Sequence, residues 1–261
     1  MALCTIATLA FNTDVDLGIL MPNDTSLSLN IFDVFGNLYV SRIVCYTILL
    51  SVIIGIYPRV TGVLHFWVAS SFLFSSKLIE GGDQIVHLLT LLLIPILMFD
   101  NRKNHWVRGG RLHNFYKNTI CFFSDLLIRL QFFTIYFFAS VCKFDVLEWK
   151  NGTALYYWFS DPVFGLNDTL RPVVFPLLKN PYIVTFSTWG VLLLELLIAI
   201  SVFLSSQRYK QMIFLAAGFF HLFIGVFFGL WSFYFAMLGL LIYILFNSFE
   251  FNYGTKIFTK I

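Results

Sequence analysis

The sequence predicts an all-α bundle of membrane-spanning helices: about seven full spans plus a truncated first helix. Three observations predict it. Hydrophobic residues make up 59% of the 261, charged residues only 12%, and the mean hydropathy is +0.81, against about 45–50% and about 25% in soluble globular chains. The apolar residues fall in uninterrupted runs close to the roughly 20 residues that carry a helix across a bilayer. The charges gather between these runs, in segments that alternate between basic and acidic.

Taken in order, residues 1–11 make half a spanning segment, so a first helix that begins before Met1 is expected. Full spans follow at about 38–57, 61–78, 84–99, 119–142, 182–204, 211–229 and 231–248. The run at 84–99 is short and meets Pro95 and Asp100, so a tilted or half-buried segment is expected there. No internal repeat or separate polar region appears, and residues 1–261 read as a single transmembrane domain.

Loop charge gives an orientation. The segment 100–118 carries Arg102, Lys103, Arg108, Arg111 and Lys117 against Asp100 alone. By the positive-inside tendency it is expected on the cytoplasmic side of the cell membrane. Alternation then puts Arg59, Arg208, Lys210 and the C-terminal Lys256 and Lys260 inside. Asp14, Asp16, Asp24, Asp33, Glu80 and Asp83 fall outside, as does the long connection 143–181.

Composition also excludes functions. A net charge of +3 with no basic stripe speaks against nucleic-acid binding. Cys4, Cys45, Cys121 and Cys142 show no metal-ligand or redox spacing. They read as small packing residues in or beside apolar segments.

The polar residues inside the runs carry the candidate chemistry. Glu195 and His221 lie near the middle of their spans and Gln131 about half-way along 119–142, so the three are expected at similar depth. A carboxylate at the membrane centre costs at least about 2.5–3.5 kcal/mol unless paired or protonated. Two readings stay open: a polar layer lining a cavity or proton path, and interhelical hydrogen bonds that only hold the bundle. Asp83 follows Gly81-Gly82, which allows a tight turn, and is placed to cap the next helix. His65 reads as an interfacial packing residue, and His87, four residues after Asp83, shares its face. His105 and His113 read as solvated residues of the basic loop. Lys143 ends the aromatic run 119–142, with Asp145, Glu148 and Trp149 close by. It is either an anchor that snorkels to the interface or a base whose charge desolvation can remove.

The set Gln131, Tyr136-Phe137, Lys143, Trp149 and Gly152, preceded by Gly81-Gly82-Asp83, resembles the HTTM domain, the membrane domain shared with vitamin K-dependent gamma-carboxylases. The resemblance runs from about residue 38 to 246. Pro58-Arg59 through His65, Gly81 to Gln84, the run ending at Pro95, Asp100, Arg102 and His105-Trp106 look most like the bacterial SdpB family. Proteins of that family accompany a secreted antimicrobial peptide and are needed for its maturation. The resemblance therefore implies a secreted peptide precursor and other maturation proteins as partners, besides membrane lipid. The carboxylases use a lysine as the base that deprotonates reduced vitamin K. By resemblance Lys143 is that base and His221 matches a later histidine. Glu195 joins them as a catalytic candidate, with Gln131, Asp83 and Trp149 as substrate or structural contacts and a quinone-type cofactor. The usual lysine pair is Cys142-Lys143 here, and the carboxylases' large lumenal region has no counterpart after residue 248, so glutamate carboxylation is not expected.

Overall fold

In the computed structural model the chain is described over residues 1–11, 29–76, 79–107, 114–162, 165–166 and 169–246. All regular elements among them are helices: α1 (Ala2–Phe11), α2 (Ile31–Phe35), α3 (Leu38–Ile54), α4 (Pro58–Ser75), α5 (Gly81–Met98), α6 (Phe115–Val141), α7 (Leu147–Lys150), α8 (Ala154–Ser160), α9 (Arg171–Leu178), α10 (Pro181–Ile200), α11 (Gln207–Phe228) and α12 (Trp231–Phe246). Single 3₁₀ turns follow α6 (Cys142–Asp145) and α10 (Ser201–Phe203). The seven expected spans each coincide with a helix to within a few residues.

Among the described residues, four stretches are long and apolar enough to cross a membrane: Gly81–Met98, Phe115–Asp145, Pro181–Phe203 and Gln207–Phe228. Helices α3 and α12 are apolar but shorter. Large side chains such as Phe186, Phe219, Phe223 and Leu193 stand exposed along α10 and α11. That is the arrangement a lipid-facing surface requires, because hydrocarbon takes the place of a protein core around the bundle. Asp14, Asp16, Asp24, Arg108, Arg111, His113, Lys256 and Lys260 lie outside the described residues.

The contacts divide the chain into two units, with the division inside α6 after Ile128. In the first unit α4 packs along α5, α3 along α4, and α1 against α3 and α5. Its core holds Leu9, Ile31, Cys45, Leu49, Val68 and Phe72. The loop after α5 folds back on the end of α3. His105 N–H donates to the Gly55 carbonyl (2.7 Å), Asn104 Nδ2 to Ile54 (3.1 Å) and Trp106 Nε1 to Ile53 (3.0 Å). These donors meet carbonyls that a helix end leaves without partners. Gly55 makes the turn possible at φ +83°, and a Cβ there would sit 2.9 Å from the Trp106 ring. Arg102 holds the loop by pairing with Asp100 and donating to the carbonyls of His105 and Val107. His105 caps α3 through its backbone N–H, while its side chain is exposed, as expected of a solvated residue, 3.9 Å from Asp100 and edge-on to Trp106.

Two expectations need correction in α5. The helix begins at Gly81, so the glycine pair forms its first turn instead of a turn ahead of it. Glu80 is the N-cap, and Asp83 sits at the third helical position, where the two side chains accept each other's backbone N–H in a capping box. The helix also runs through Pro95 to Met98, longer than the run at 84–99 suggested.

In the second unit α11 and α12 form a tight hairpin, α10 packs on α11, and α8 and α9 lean on α10. Trp149, Ala154 and Leu192 make a small buried cluster where the turns that follow α6 meet α10.

Candidate functional site

The second unit gathers most of the polar residues that the sequence singled out. Helix α6 gives way at Val141 to the 3₁₀ turn Cys142–Asp145, which changes the direction of Lys143 relative to the helix before it. The lysine does not snorkel outward. Its Nζ donates to both carboxylate oxygens of Glu195, at 2.5 Å for Oε2. The lysine side chain is 25% exposed and that of Glu195 only 8%. On the other side, Nζ lies 5.0 Å from the centre of the Trp149 ring. The ammonium is therefore held between a carboxylate and an aromatic face. Glu195 gets there because α10 is anchored to α6: the Ser140 hydroxyl donates to the Leu192 carbonyl at 3.0 Å, one turn before Glu195.

Two turns before Lys143, α6 presents Tyr136, which is fully buried. Its hydroxyl is hydrogen bonded to His221 Nε2 of α11 at 2.7 Å. The histidine is 2% exposed and ringed by Tyr136, Phe220 and Phe233. Its Nδ1 is buried with no hydrogen-bond partner among the described residues. A buried nitrogen left in that state costs about 1–3 kcal/mol, and it is the one side of the imidazole open to a further group.

Trp149 is set by its short helix α7 and by Gly152, whose φ of +73° closes that turn. A Cβ on Gly152 would lie 2.7 Å from the Thr185 methyl and 3.2 Å from its Cα. Thr188 on the same face of α10 accepts the Leu155 N–H at 3.3 Å. These contacts explain why a tryptophan and a glycine three residues apart accompany the lysine.

The structure thus joins Lys143, Glu195 and Trp149, and pairs His221 with Tyr136. It does not bring in Gln131, which is half-buried and makes no hydrogen bond among the described residues. Of the two readings left open for Gln131, Glu195 and His221, the contacts show interhelical hydrogen bonds for Glu195 and His221, each in its own pair. Tyr136 is hard to read as a polar group because it stands among the seven phenylalanines of α6 and reads as packing.

Asp83 belongs to the first unit. It is buried and accepts the Thr8 hydroxyl at Oδ1 (2.6 Å). His65, 4% exposed, shares a 3.2 Å hydrogen bond with Thr5. His65 is therefore a buried interhelical contact. His87 sits edge-on between Phe66 and Phe74. Cys4, Cys45 and Cys121 are buried and free, as packing residues should be, whereas Cys142 is exposed. No cluster of metal-ligating side chains occurs among the described residues.

The chain is 37% identical to the sporulation-delaying protein SdpB of Bacillus subtilis over 187 residues, 71% of this chain and 57% of that protein. It is 37% identical to the uncharacterized protein YitO of the same bacterium over 205 residues, 77% of this chain and 65% of that protein. The chain therefore spans about three fifths of the length of the curated relatives it matches. No solved structure matches it. The profile of the HTTM domain matches residues 27–251, taking in Lys143, Trp149, Glu195 and His221, and the chain belongs to the HTTM domain family.

Proposed function

We propose that this multi-pass membrane protein acts in the maturation or export of a secreted antimicrobial peptide, with the Lys143–Glu195 pair as its working centre. The observation that carries the reading is the 37% identity to SdpB, a family expected to work beside such a peptide. A closed ion pair at the edge of a span suits a site that meets a peptide. The pair is neutral as a whole, so it is tolerated near lipid, yet either member can exchange its partner for a carboxylate or amine of the substrate. In this reading residues 1–261 form one transmembrane domain in the cell membrane. The loop 100–118 and the C-terminus face the cytoplasm, and 143–181, with Lys143, faces outside, as the loop charges favour.

The geometry also favours a second reading, a membrane enzyme related to the gamma-carboxylases that acts on a quinone or lipid. Lys143 Nζ donates a proton to Glu195, and the free amine then takes a proton from the substrate. Such an acid–base pair needs the two groups in hydrogen-bond contact, and they are. The unpartnered Nδ1 of His221 offers a contact to the same substrate.

The test uses a strain whose own copy is deleted, with the mature peptide in the medium measured by mass spectrometry. Lys143→Met abolishes the mature peptide. Lys143→Arg separates the readings: it keeps the charge but not a base, so normal maturation excludes the enzyme and supports a peptide-holding ion pair. Full tolerance of Lys143→Met, Glu195→Gln and His221→Asn would reduce the protein to a scaffold and overturn both.

A further inference from the structure

The short helices α8 and α9 lie outside the four long apolar stretches, yet the fold holds each of them at the end of one. Only Lys179 and Asn180 separate the end of α9 at Leu178 from the start of α10 at Pro181, and α9 packs on α10. Pro181 opens a stretch long enough to cross a membrane, so α9 is tied to the level at which that stretch enters the bilayer. Helix α8 is tied to the end of α11. The Phe159 ring stacks on Phe228 with centres 5.2 Å apart, and Trp158 meets the same ring edge-on. Consecutive spans run in opposite directions, so the start of α10 and the end of α11 share one side of the membrane. Both short helices thus belong to one membrane boundary. Their free faces are apolar. On α9 Val173 is 68% and Leu177 53% exposed, while Leu178 is the buried residue of that helix. On α8 Tyr157 is 59% and Trp158 49% exposed. Tyrosine and tryptophan settle at head-group level, where an apolar ring and a polar tip are both accommodated.

We infer that α8 and α9 form a shelf seated in the head-group region of the leaflet where α10 begins, with the lipid surface itself as their partner. Continuity with the lipid-facing surface selects this occupant. The exposed apolar residues pass from Val173 and Leu177 of α9 to Tyr182 and Phe186 on the first turns of α10, and a span turns such side chains towards lipid. The seat is shallow, because the turns around these helices carry backbone groups that hydrocarbon would leave without partners. An apolar helix face of this kind enters the boundary by about 5–10 Å.

The test is site-directed spin labelling of the full chain in vesicles of phosphatidylcholine and phosphatidylglycerol. Cys142, the exposed cysteine, is first replaced by serine. Nitroxides are then placed through Tyr157→Cys and Val173→Cys, one on each short helix, and through Phe223→Cys on the exposed face of α11 as a lipid reference. Tyr157 and Val173 are exposed, so neither substitution removes a packed side chain. Collision rates with oxygen, which concentrates in lipid, and with a neutral nickel chelate, which stays in water, give the depth of each label. Lipids spin-labelled at the head group and along the acyl chain calibrate it. The labels at residues 157 and 173 are expected about 5–10 Å into the boundary, with more oxygen and less nickel contact than the head-group label and the reverse relative to the label at residue 223. Nickel contact at either site equal to that of a label free in water would overturn the inference, since that helix would then stand clear of the membrane. So would a label that neither reagent reaches, which would mean that protein, a second copy or another chain, covers the face.

Discussion

The Lys143–Glu195 pair can be broken from either side, and the two sides differ. Glu195→Gln leaves the ammonium without its carboxylate. The lysine side chain is 25% exposed and still faces Trp149, so water and the ring recover part of the loss. The expected cost is about 2 kcal/mol, below the roughly 3–5 kcal/mol of a fully buried broken pair. Lys143→Met leaves a carboxylate that is only 8% exposed. Its cost is capped by taking up a proton. For an ordinary glutamic acid near pKa 4.3 that is about 3.7 kcal/mol at pH 7, so about 3 kcal/mol is expected. The double variant Lys143→Met/Glu195→Gln removes both charges and costs only about 1–2 kcal/mol, because no unpaired charge remains. The coupling is then about 3–4 kcal/mol. Reversible unfolding in mixed micelles, followed by tryptophan fluorescence, measures all four corners of this cycle. Single-variant costs that add within about 0.5 kcal/mol would show no coupling and refute the pair.

Other contacts make separate predictions. Tyr136→Phe removes the hydroxyl on His221 and leaves both imidazole nitrogens without protein partners, for a loss of about 1–3 kcal/mol in the same unfolding assay. Gly152→Ala forces φ +73° on a residue with a Cβ and drives it against Thr185. A loss of at least about 1 kcal/mol and altered Trp149 fluorescence are expected. Thr8→Val leaves Asp83 Oδ1 without its hydroxyl donor and costs about 1–3 kcal/mol, whereas Thr8→Ser costs less than half of that. Burial alone would raise the Asp100 carboxyl, but the hydrogen bonds and charge of Arg102 hold it below its ordinary value of 3.8. Its contribution to stability is therefore present above about pH 4 and lost as the pH falls further. Asp100→Asn flattens that limb of the stability–pH curve.

The sequence made the helices legible because lipid imposes one demand on every span, an apolar run of fixed length. It made Glu195 and His221 visible for the same reason, since each interrupts such a run. Partners were harder to see. Lys143 and Glu195 are 52 residues apart, and no helical spacing links them. Nothing local reveals that the 3₁₀ turn aims the lysine inward. Tyr136 and Thr8 carry hydroxyls in runs of apolar residues, where they pass for packing. At Asp83 the glycine pair suggested a turn, but Gly81 and Gly82 keep ordinary helical φ values, and the cap moved back to Glu80. The basic loop was read by its charge alone. Its ordering on α3 depends on carbonyls that only the folded helix end exposes.

The most direct test of the central claim combines the uncharged pair with the peptide assay. The Lys143→Met/Glu195→Gln double variant is expected to fold and reach wild-type abundance in the membrane. If the ion pair is the working centre, cells that carry only this variant release no mature peptide. Wild-type amounts of mature peptide from those cells would contradict the account.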